Sequence, residues 1–296
     1  MVARARWAAV IVNYNAGGHL LACVRSVLDD QSAGPADVVV VDNESTDGSV
    51  TELALAEPRV RIVRAGGNVG LSKAVNLGVA ATYASVIAVL NPDTELERGT
   101  AGVFAARLDA EPDLGALGPR IENPDGSVYP SARREPRMVD AAAHALLGLW
   151  WPTNPFTRRY RQLDVDWGER RAVDWLSGAA LWFRRDALDA VGGWDERYFM
   201  FMEDVDVCRR LRDSGRRVEY DPAGCVMHVE GVSRASHPYR MIAMHHRSVW
   251  RYAAGRWRGA RLVLLPLAAV ALTVRAVVAM AVHRLGGRRK RPRVRG

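Results

Sequence analysis

Four short apolar runs rich in β-branched residues punctuate the first third of the chain: Trp7–Val12, Val38–Val41, Val60–Val63 and Val86–Leu90. Each is short and rich in β-branched residues, as strands covered on both faces should be. Between them lie the helix-like stretches Gly18–Leu28, Gly48–Ala56 and Leu71–Tyr83. Strand and helix alternating at this rhythm predict a parallel sheet with right-handed crossovers. In such sheets ligands bind beyond the carboxyl ends of the strands. Those ends carry Asn13-Tyr14-Asn15, Asp42-Asn43, Gly67-Asn68 and Asn91-Pro92-Asp93, so four polar strand ends predict one rim of one site.

After Arg98 the pattern loosens. Residues 122–137 are rich in proline, arginine and turn formers, and 138–151 read as an apolar helix ending in Trp150-Trp151. A second organised block runs from Val173 to Val229. It holds WLSGAALWFRR, the loop GGWDERYFMF, a helix over EDVDVCRRLRDSG that stops at Gly215, and strand-like Arg217–Tyr220 and Cys225–Val229.

Residues 262–285 are strongly apolar but interrupted by Pro266 and Arg275. A spanning helix needs about 20 predominantly apolar residues, and a central arginine costs about 3 kcal/mol on insertion scales. A membrane span, an interfacial or re-entrant helix and a helix buried in protein all stay open. The net charge of +8 is concentrated at this end: the sequence from Arg284 onward carries seven basic residues and no acidic one. The nearly neutral body has no global polyanion-binding character, which argues against a nucleic-acid partner, while the tail suits an anionic, cytoplasmic membrane leaflet. The three cysteines, Cys23, Cys208 and Cys225, form neither a disulfide framework nor a CxxC pair and favour a reducing compartment. The apolar run before Asn13 is too short for a secretory signal and reads as the first strand.

Each polar cluster has a chemical and a structural reading. Asp42, ending a buried strand in VVDNESTDGS, can accept hydrogen bonds from a base or ribose, or can simply cap the next helix. GGNVGLSKAVNLG offers backbone N–H groups, Asn68 and Lys73 to a diphosphate, or is merely a turn. Neither GxGxxG nor GxxxxGK[ST] is present, against a dinucleotide dehydrogenase and a P-loop ATPase. Asp93 in NPDTEL can hold a divalent cation that bridges phosphate oxygens, or can serve a Pro-Asp turn. Glu203, Asp204 and Asp206 gather at a helix start, where the dipole favours acids. Three acids in four residues exceed what capping needs, and one carboxylate beside an acceptor hydroxyl would be a general base. His228 in VMHVEG is a ligand only if the fold brings it to Asp93.

Taken in order, these segments resemble the family 2 glycosyltransferases: NYN at 13–15, VDNESTDGS at 41–49, NVGLSKAVNLG at 68–78, LNPD at 90–93, GAALWFRRDAL at 178–188, GGWDE at 192–196 and FMEDVD at 201–206. The variant with NPD, GGWDE and FMEDVDVCRR is similar to the bacterial rhamnosyltransferase branch, and within it resembles the enzymes that add L-rhamnose from dTDP-rhamnose to polyprenyl-diphosphate-linked N-acetylglucosamine in actinobacterial wall assembly. The resemblance implies a GT-A α/β fold, Rossmann-like with a mostly parallel central sheet, over residues 1–235. A helical connector at 236–261 and a membrane-associating apolar helix with basic tail at 262–296 would follow. It also implies Mg2+ or Mn2+, a nucleotide-sugar donor and a lipid-linked glycan acceptor at the cytoplasmic face of the membrane. By the same resemblance Asn13, Asn15, Asp42, Asn68, Lys73 and Asn91 would bind the donor. Asp93 and His228 would meet the metal, and Asp204 would deprotonate the acceptor. Trp194, Asp195, Glu203 and Asp206 would shape the acceptor side. One departure is that the usual Asp-x-Asp is Asn91-Pro92-Asp93 here, one carboxylate short. A related transferase with another sugar and acceptor, or a non-catalytic nucleotide-sugar-binding protein on the same fold, are the alternatives. A nucleotidyltransferase would show a glycine- and lysine-rich signature that Asn13–Gly18 lacks.

Overall fold

The computed structural model describes residues 5–135, 151, 153–156, 158, 166–229 and 238–289. The expected helix over 138–151, Trp151 apart, and the basic tail from Lys290 lie outside the described residues.

The four apolar runs form β1 (Trp7–Asn13), β2 (Asp37–Asp42), β3 (Arg61–Arg64) and β4 (Val86–Leu90); contrary to expectation β3 is not covered on both faces, because it lies at the sheet edge with Arg61 and Arg64 exposed and Ile62 and Val63 half-buried. The four strands pair in parallel in the order β3-β2-β1-β4, linked by α1 (His19–Asp29), α2 (Ser49–Ala56) and α3 (Leu71–Ala80). Alternate residues of β1 enter two apolar layers: Trp7, Ala9 and Ile11 join Leu20 and Val24 of α1, while Ala8, Val10 and Val12 join Ala74 and Val75 of α3. That double burial is why β1 reads as an unbroken apolar run. α3 stops at Ala80 rather than Tyr83, because Thr82 turns the chain and donates its hydroxyl to Asp37 at 2.7 Å.

The chain continues with β5 (Thr94–Leu96), α4 (Thr100–Ala110), β6 (Leu114–Glu122), β7 (Val128–Tyr129), β8 (Ala132–Arg133), β9 (Arg171–Ala172), β10 (Trp175–Leu176) and β11 (Ala180–Arg184), of which β8 and β10 pair with each other in a separate antiparallel ribbon and the other strands extend the sheet. Then come α5 (Arg185–Ala190), α6 (Glu203–Asp213) and β12 (Arg217–His228). The order continues β4-β11-β6-β12-β5, with β11 antiparallel to both neighbours and β12 parallel to β6. The core packs Trp182 of β11 edge-on to Phe104 of α4, ring centroids 5.0 Å apart. The two strands expected at Arg217–Tyr220 and Cys225–Val229 are one strand, whose register on β6 shifts between Asp221 and Cys225. Gly224 lies in that shift against Phe104, which would sit 2.5 Å from an added Cβ.

Two helices complete the described chain. α7 (Pro238–Arg256) is fastened to the body where Ser248 Oγ donates to the Met200 carbonyl at 2.8 Å and Arg251 donates to that of Arg197 at 2.6 Å. After a 3-10 turn (Gly259–Leu264), α8 (Leu265–Arg289) folds back along α7, so that Tyr239 and His283 stack edge-on at 5.6 Å. Leu262–Arg284 is long and apolar enough to cross a membrane by length and composition, and none of it is buried.

Gly78 marks the closest approach of α3 to the sheet: an added Cβ would lie 2.4 Å from Val10 Cγ1 and 3.0 Å from Val41 Cγ2. Gly78→Ala is therefore expected to destabilise by about 1–3 kcal/mol through overpacking, despite alanine's better helix propensity. The check is a lower urea midpoint at unchanged m-value; a higher midpoint would show that the layers part without cost.

Candidate active site

Strand order reverses between β1 and β4, which opens a crevice at the carboxyl ends of these strands. Asn13 ends β1 there, fully buried, its amide donating to Ser45 and Ser49 hydroxyls, both at 2.9 Å. Its Oδ1 is buried with no hydrogen-bond partner among the described residues. Asn15 adopts a left-handed backbone (φ 54°) and accepts from the Thr46 N–H at 2.7 Å, tying the first rim loop to the second. Asp42 ends β2, buried, accepting from Ser45 N–H at 2.9 Å and from Arg64 at 3.0 Å. Asn68 accepts from the Asn43 amide at 3.1 Å, and Asn43 in turn accepts from Val69 N–H at 2.9 Å. Lys73 is exposed on the first turn of α3, with no hydrogen bond or ion pair among the described residues. Asn91 anchors the next turn, its N–H donating to Ala179 and its carbonyl accepting from the Thr94 hydroxyl at 2.7 Å.

Antiparallel pairing of β5 with the end of β12 sets His228 opposite Thr94, beside Asp93. Asp93 Oδ1 and His228 Nε2 are 3.2 Å apart, and both residues are buried. His228 Nδ1 has no partner among the described residues, so either neutral tautomer leaves one ring nitrogen unsatisfied. Two donors at right angles around a small divalent cation lie about 3 Å apart, and the pair fits two corners of such an ion. Among the described residues no group of three or more His, Cys, Asp or Glu converges. The remaining positions would therefore fall to phosphate oxygens and water, which suits Mg2+ or Mn2+ better than an all-protein cage.

The three acids of α6 separate by environment. Asp204 is partly exposed, with its carboxylate accepting from Gly178 N–H at 3.0 Å and from Val205 N–H at 2.8 Å. Desolvation raises its pKa, opposed by those two amides and by Arg133. Asp206 is buried and paired, with Arg209 at 3.0 Å and Arg210 at 2.7 Å. Glu203 is buried at the helix start. In the preceding loop Arg197 grips Asp195 at 2.6 Å and holds its carboxyl below the usual range. Trp194 is core, packed edge-on to Phe183 at 6.2 Å.

Backbone contacts lock this acidic block to the donor rim. Leu71 N–H donates to the Phe199 carbonyl at 2.7 Å, and the same carbonyl would sit 2.7 Å from a Cβ on Gly70, which adopts φ 86°. The Asn76 side chain bonds both N–H and carbonyl of Trp194, at 2.9 and 2.8 Å. Arg210 reaches from Asp206 to the carbonyls of Val191 and Gly193. Phe201 and Met202 both hold left-handed backbones (φ 70° and 69°) as they enter α6, a conformation bulky residues adopt only when neighbours enforce it. Three participants were given no role from the sequence: Asn43, Gly178 and Arg133. Asn43 was visible as a polar strand end, whereas the other two reach Asp204 only through folding.

A reversing parallel sheet, a polar rim at its switch point, a carboxylate–histidine pair and one desolvated carboxylate facing a glycine turn define a GT-A-type group-transfer domain. The chain belongs to glycosyl transferase family 2, whose model matches residues 8–192. It is 40% identical over 261 residues to the N-acetylglucosaminyl-diphospho-decaprenol L-rhamnosyltransferase of Mycobacterium tuberculosis, covering 84% of each chain. The rhamnosyltransferase WbbL of Escherichia coli is 35% identical over 124 residues, 42% of this chain and 44% of that protein. Among solved structures, a Pyrobaculum calidifontis mannosyltransferase in complex with GDP-Man and Mn2+ superposes with TM-score 0.57 at 18% identity, covering 95% of this chain and 76% of that one. Staphylococcus aureus TarS 1–349 with UDP-GlcNAc gives 0.55 at 14% identity, covering 91% and 72%. At such identities these two share the fold.

Asp206→Asn should leave two arginines short of their shared carboxylate. A fall of about 2–3 kcal/mol in unfolding free energy is expected, below the range for a fully buried pair because both arginines keep solvent contact. Urea denaturation checks it, and an unchanged midpoint would show that the pairing contributes nothing to stability.

Proposed function

We propose that this glycosyltransferase moves L-rhamnose from dTDP-rhamnose onto polyprenyl-diphosphate-linked N-acetylglucosamine, in one inverting displacement at the cytoplasmic face of the membrane. The sugar and acceptor rest on 40% identity, sustained over 84% of both chains, to the mycobacterial enzyme named for them. The observation that carries the mechanism is Asp204: a carboxylate whose pKa is raised by desolvation, held by two backbone amides and oriented by the turn at Gly178.

Asn13, Asn15, Asp42 and Asn68 form the donor rim around the unsatisfied Asn13 Oδ1, with Asn91 shaping the adjoining turn. Lys73, without an ion pair of its own, can swing toward a diphosphate. Asp93 and His228 would hold the divalent cation, which when bound neutralises charge developing on the leaving diphosphate. Asp204 accepts the proton of the acceptor hydroxyl as that oxygen bonds to the anomeric carbon. The sugar–phosphate bond breaks with its electron pair leaving on the nucleotide diphosphate. No protein nucleophile intervenes, so the anomeric centre inverts. Trp194, Asp195, Glu203 and Asp206 serve the acceptor side as positioning residues, fixing the loop and the helix that carry Asp204. The fold-back of α8 along α7 favours a hairpin lying in the membrane interface over a lone span, with the exposed apolar residues of α8 toward lipid.

Asp204→Asn should lower turnover by about 10²–10⁴-fold, the usual contribution of a general base, with dTDP affinity unchanged. Transfer of radiolabelled rhamnose into lipid by membranes containing each variant is the assay, and wild-type turnover would overturn the assignment. A base must be ionised to act, so activity falls as pH drops through its pKa. The raised value places the acidic limb of kcat/KM above the ordinary aspartate range near 3.9, and a limb at or below that range would contradict the desolvated site.

Asp93→Ala and His228→Ala should each weaken Mn2+ binding in the presence of dTDP by about tenfold or more. Electron paramagnetic resonance of free Mn2+ reads this without turnover. Wild-type affinity in both variants would remove the pair from the metal site.

A further inference from the structure

A cavity of about 470 Å3 lies between α7, the loop at 195–202 and the outer flank of α6. Its wall gathers five arginines, Arg197, Arg209, Arg247, Arg251 and Arg256, against one carboxylate, Asp206. Three of the five are engaged by acids: Arg197 by Asp195, Arg209 by Asp206 and Asp213, and Arg256 by Glu135. Arg247 and Arg251 form no ion pair among the described residues, although Arg251 donates one N–H to the Arg197 carbonyl. Guanidinium groups crowded in a concavity repel one another, and an anion with several oxygens relieves that cost.

The cavity is separate from the reaction centre. Asp206, which lines it, follows Asp204 by two residues in α6, about 200° around the helix. The cavity therefore faces away from Asp204 and its glycine turn. It does adjoin the apolar end of the chain. The helix that supplies Arg247, Arg251 and Arg256 leads within nine residues of Arg256 through the 3-10 turn into α8, whose Leu267, Val270 and Val274 are exposed. Trp250 lines the same wall, and tryptophan beside arginine is the composition of a membrane–water interface.

We infer that this cavity binds the phosphate of an anionic membrane phospholipid, whose acyl chains lie along α8. The inference rests on the membrane-surface part of the proposed function and deepens it from diffuse attraction to a built site. It also gives the lipid a line to the active site, since α7 holds the loop entering α6 through Ser248 to Met200 and through the edge-on contact of His245 with Phe201 at 5.4 Å.

The test uses the full chain and charge-conserving substitutions, so that diffuse attraction is untouched while the forked guanidinium geometry is lost. Cosedimentation compares R247K/R251K with R258K/R284K, a pair outside the cavity, on phosphatidylcholine vesicles with and without phosphatidylglycerol. The expected result is about tenfold weaker binding of R247K/R251K to phosphatidylglycerol vesicles, with R258K/R284K like wild type. Thermal midpoint and dTDP affinity should be equal in all three proteins. Equal binding by all three would overturn the site and leave only unspecific charge. A third vesicle carries polyprenyl-diphosphate N-acetylglucosamine in phosphatidylcholine. If R247K/R251K loses binding on that vesicle alone, the cavity serves the acceptor's diphosphate and the phospholipid assignment falls. Binding is read without donor, so failure of rhamnose transfer and failure of this site are seen in separate experiments.

Discussion

The contact on which the site depends is the seating of the 195–202 loop on the start of α3. There the Phe199 carbonyl takes the Leu71 N–H at 2.7 Å and leaves no room for a side chain on Gly70. The donor rim comes from the first four strands and the acidic helix from a segment more than a hundred residues later. That contact and the Asn76 clasp on Trp194 beside it act with the Gly178 N–H on Asp204 and the Asn91 N–H on Ala179 to fix Asp204 relative to the strand ends. Backbone hydrogen bonds are directional, which is what a transfer reaction needs, since small misplacements of reacting groups cost rate steeply.

The acids of α6 show how environment separates chemically identical groups. Asp206 faces Arg209 and Arg210, and Asp195 faces Arg197, so each is matched by a permanent cation. Asp204 meets two amides and only the more distant charge of Arg133, and desolvation wins. On the metal side, Asn91 in place of a carboxylate leaves Asp93 with His228 as its neighbour. A site with few protein donors relies on the nucleotide to complete it, which couples donor arrival to metal retention.

Much of the first half was legible because its signals are local. β1 to β4 and their helices follow from apolar runs and spacing, and the polar strand ends follow from the topology those runs imply. The resemblance carried Asp93, Asp204 and His228 as candidates, but their partners depend on non-local pairing. Nothing in VMHVEG states that β12 runs antiparallel to β5, and nothing in SGAA states that Gly178 donates to Asp204. The resemblance places Trp194 on the acceptor side, yet the fold buries its ring on Phe183. The helical hairpin was illegible for another reason: hydropathy alone shows that α8 is apolar, whereas its return along α7 is set by contacts such as Tyr239 with His283.

The mechanism proposed for this site is a single displacement assisted by one carboxylate, with no covalent sugar–enzyme intermediate. The anomeric configuration of the transferred sugar tests it most directly, by the one-bond carbon–proton coupling in the nuclear magnetic resonance spectrum of the purified product. A single displacement gives the configuration opposite to that of the donor. Retention would contradict it, because retention requires either a second inversion on a protein nucleophile or attack from the leaving-group side, and would return Asp204 to an unassigned role.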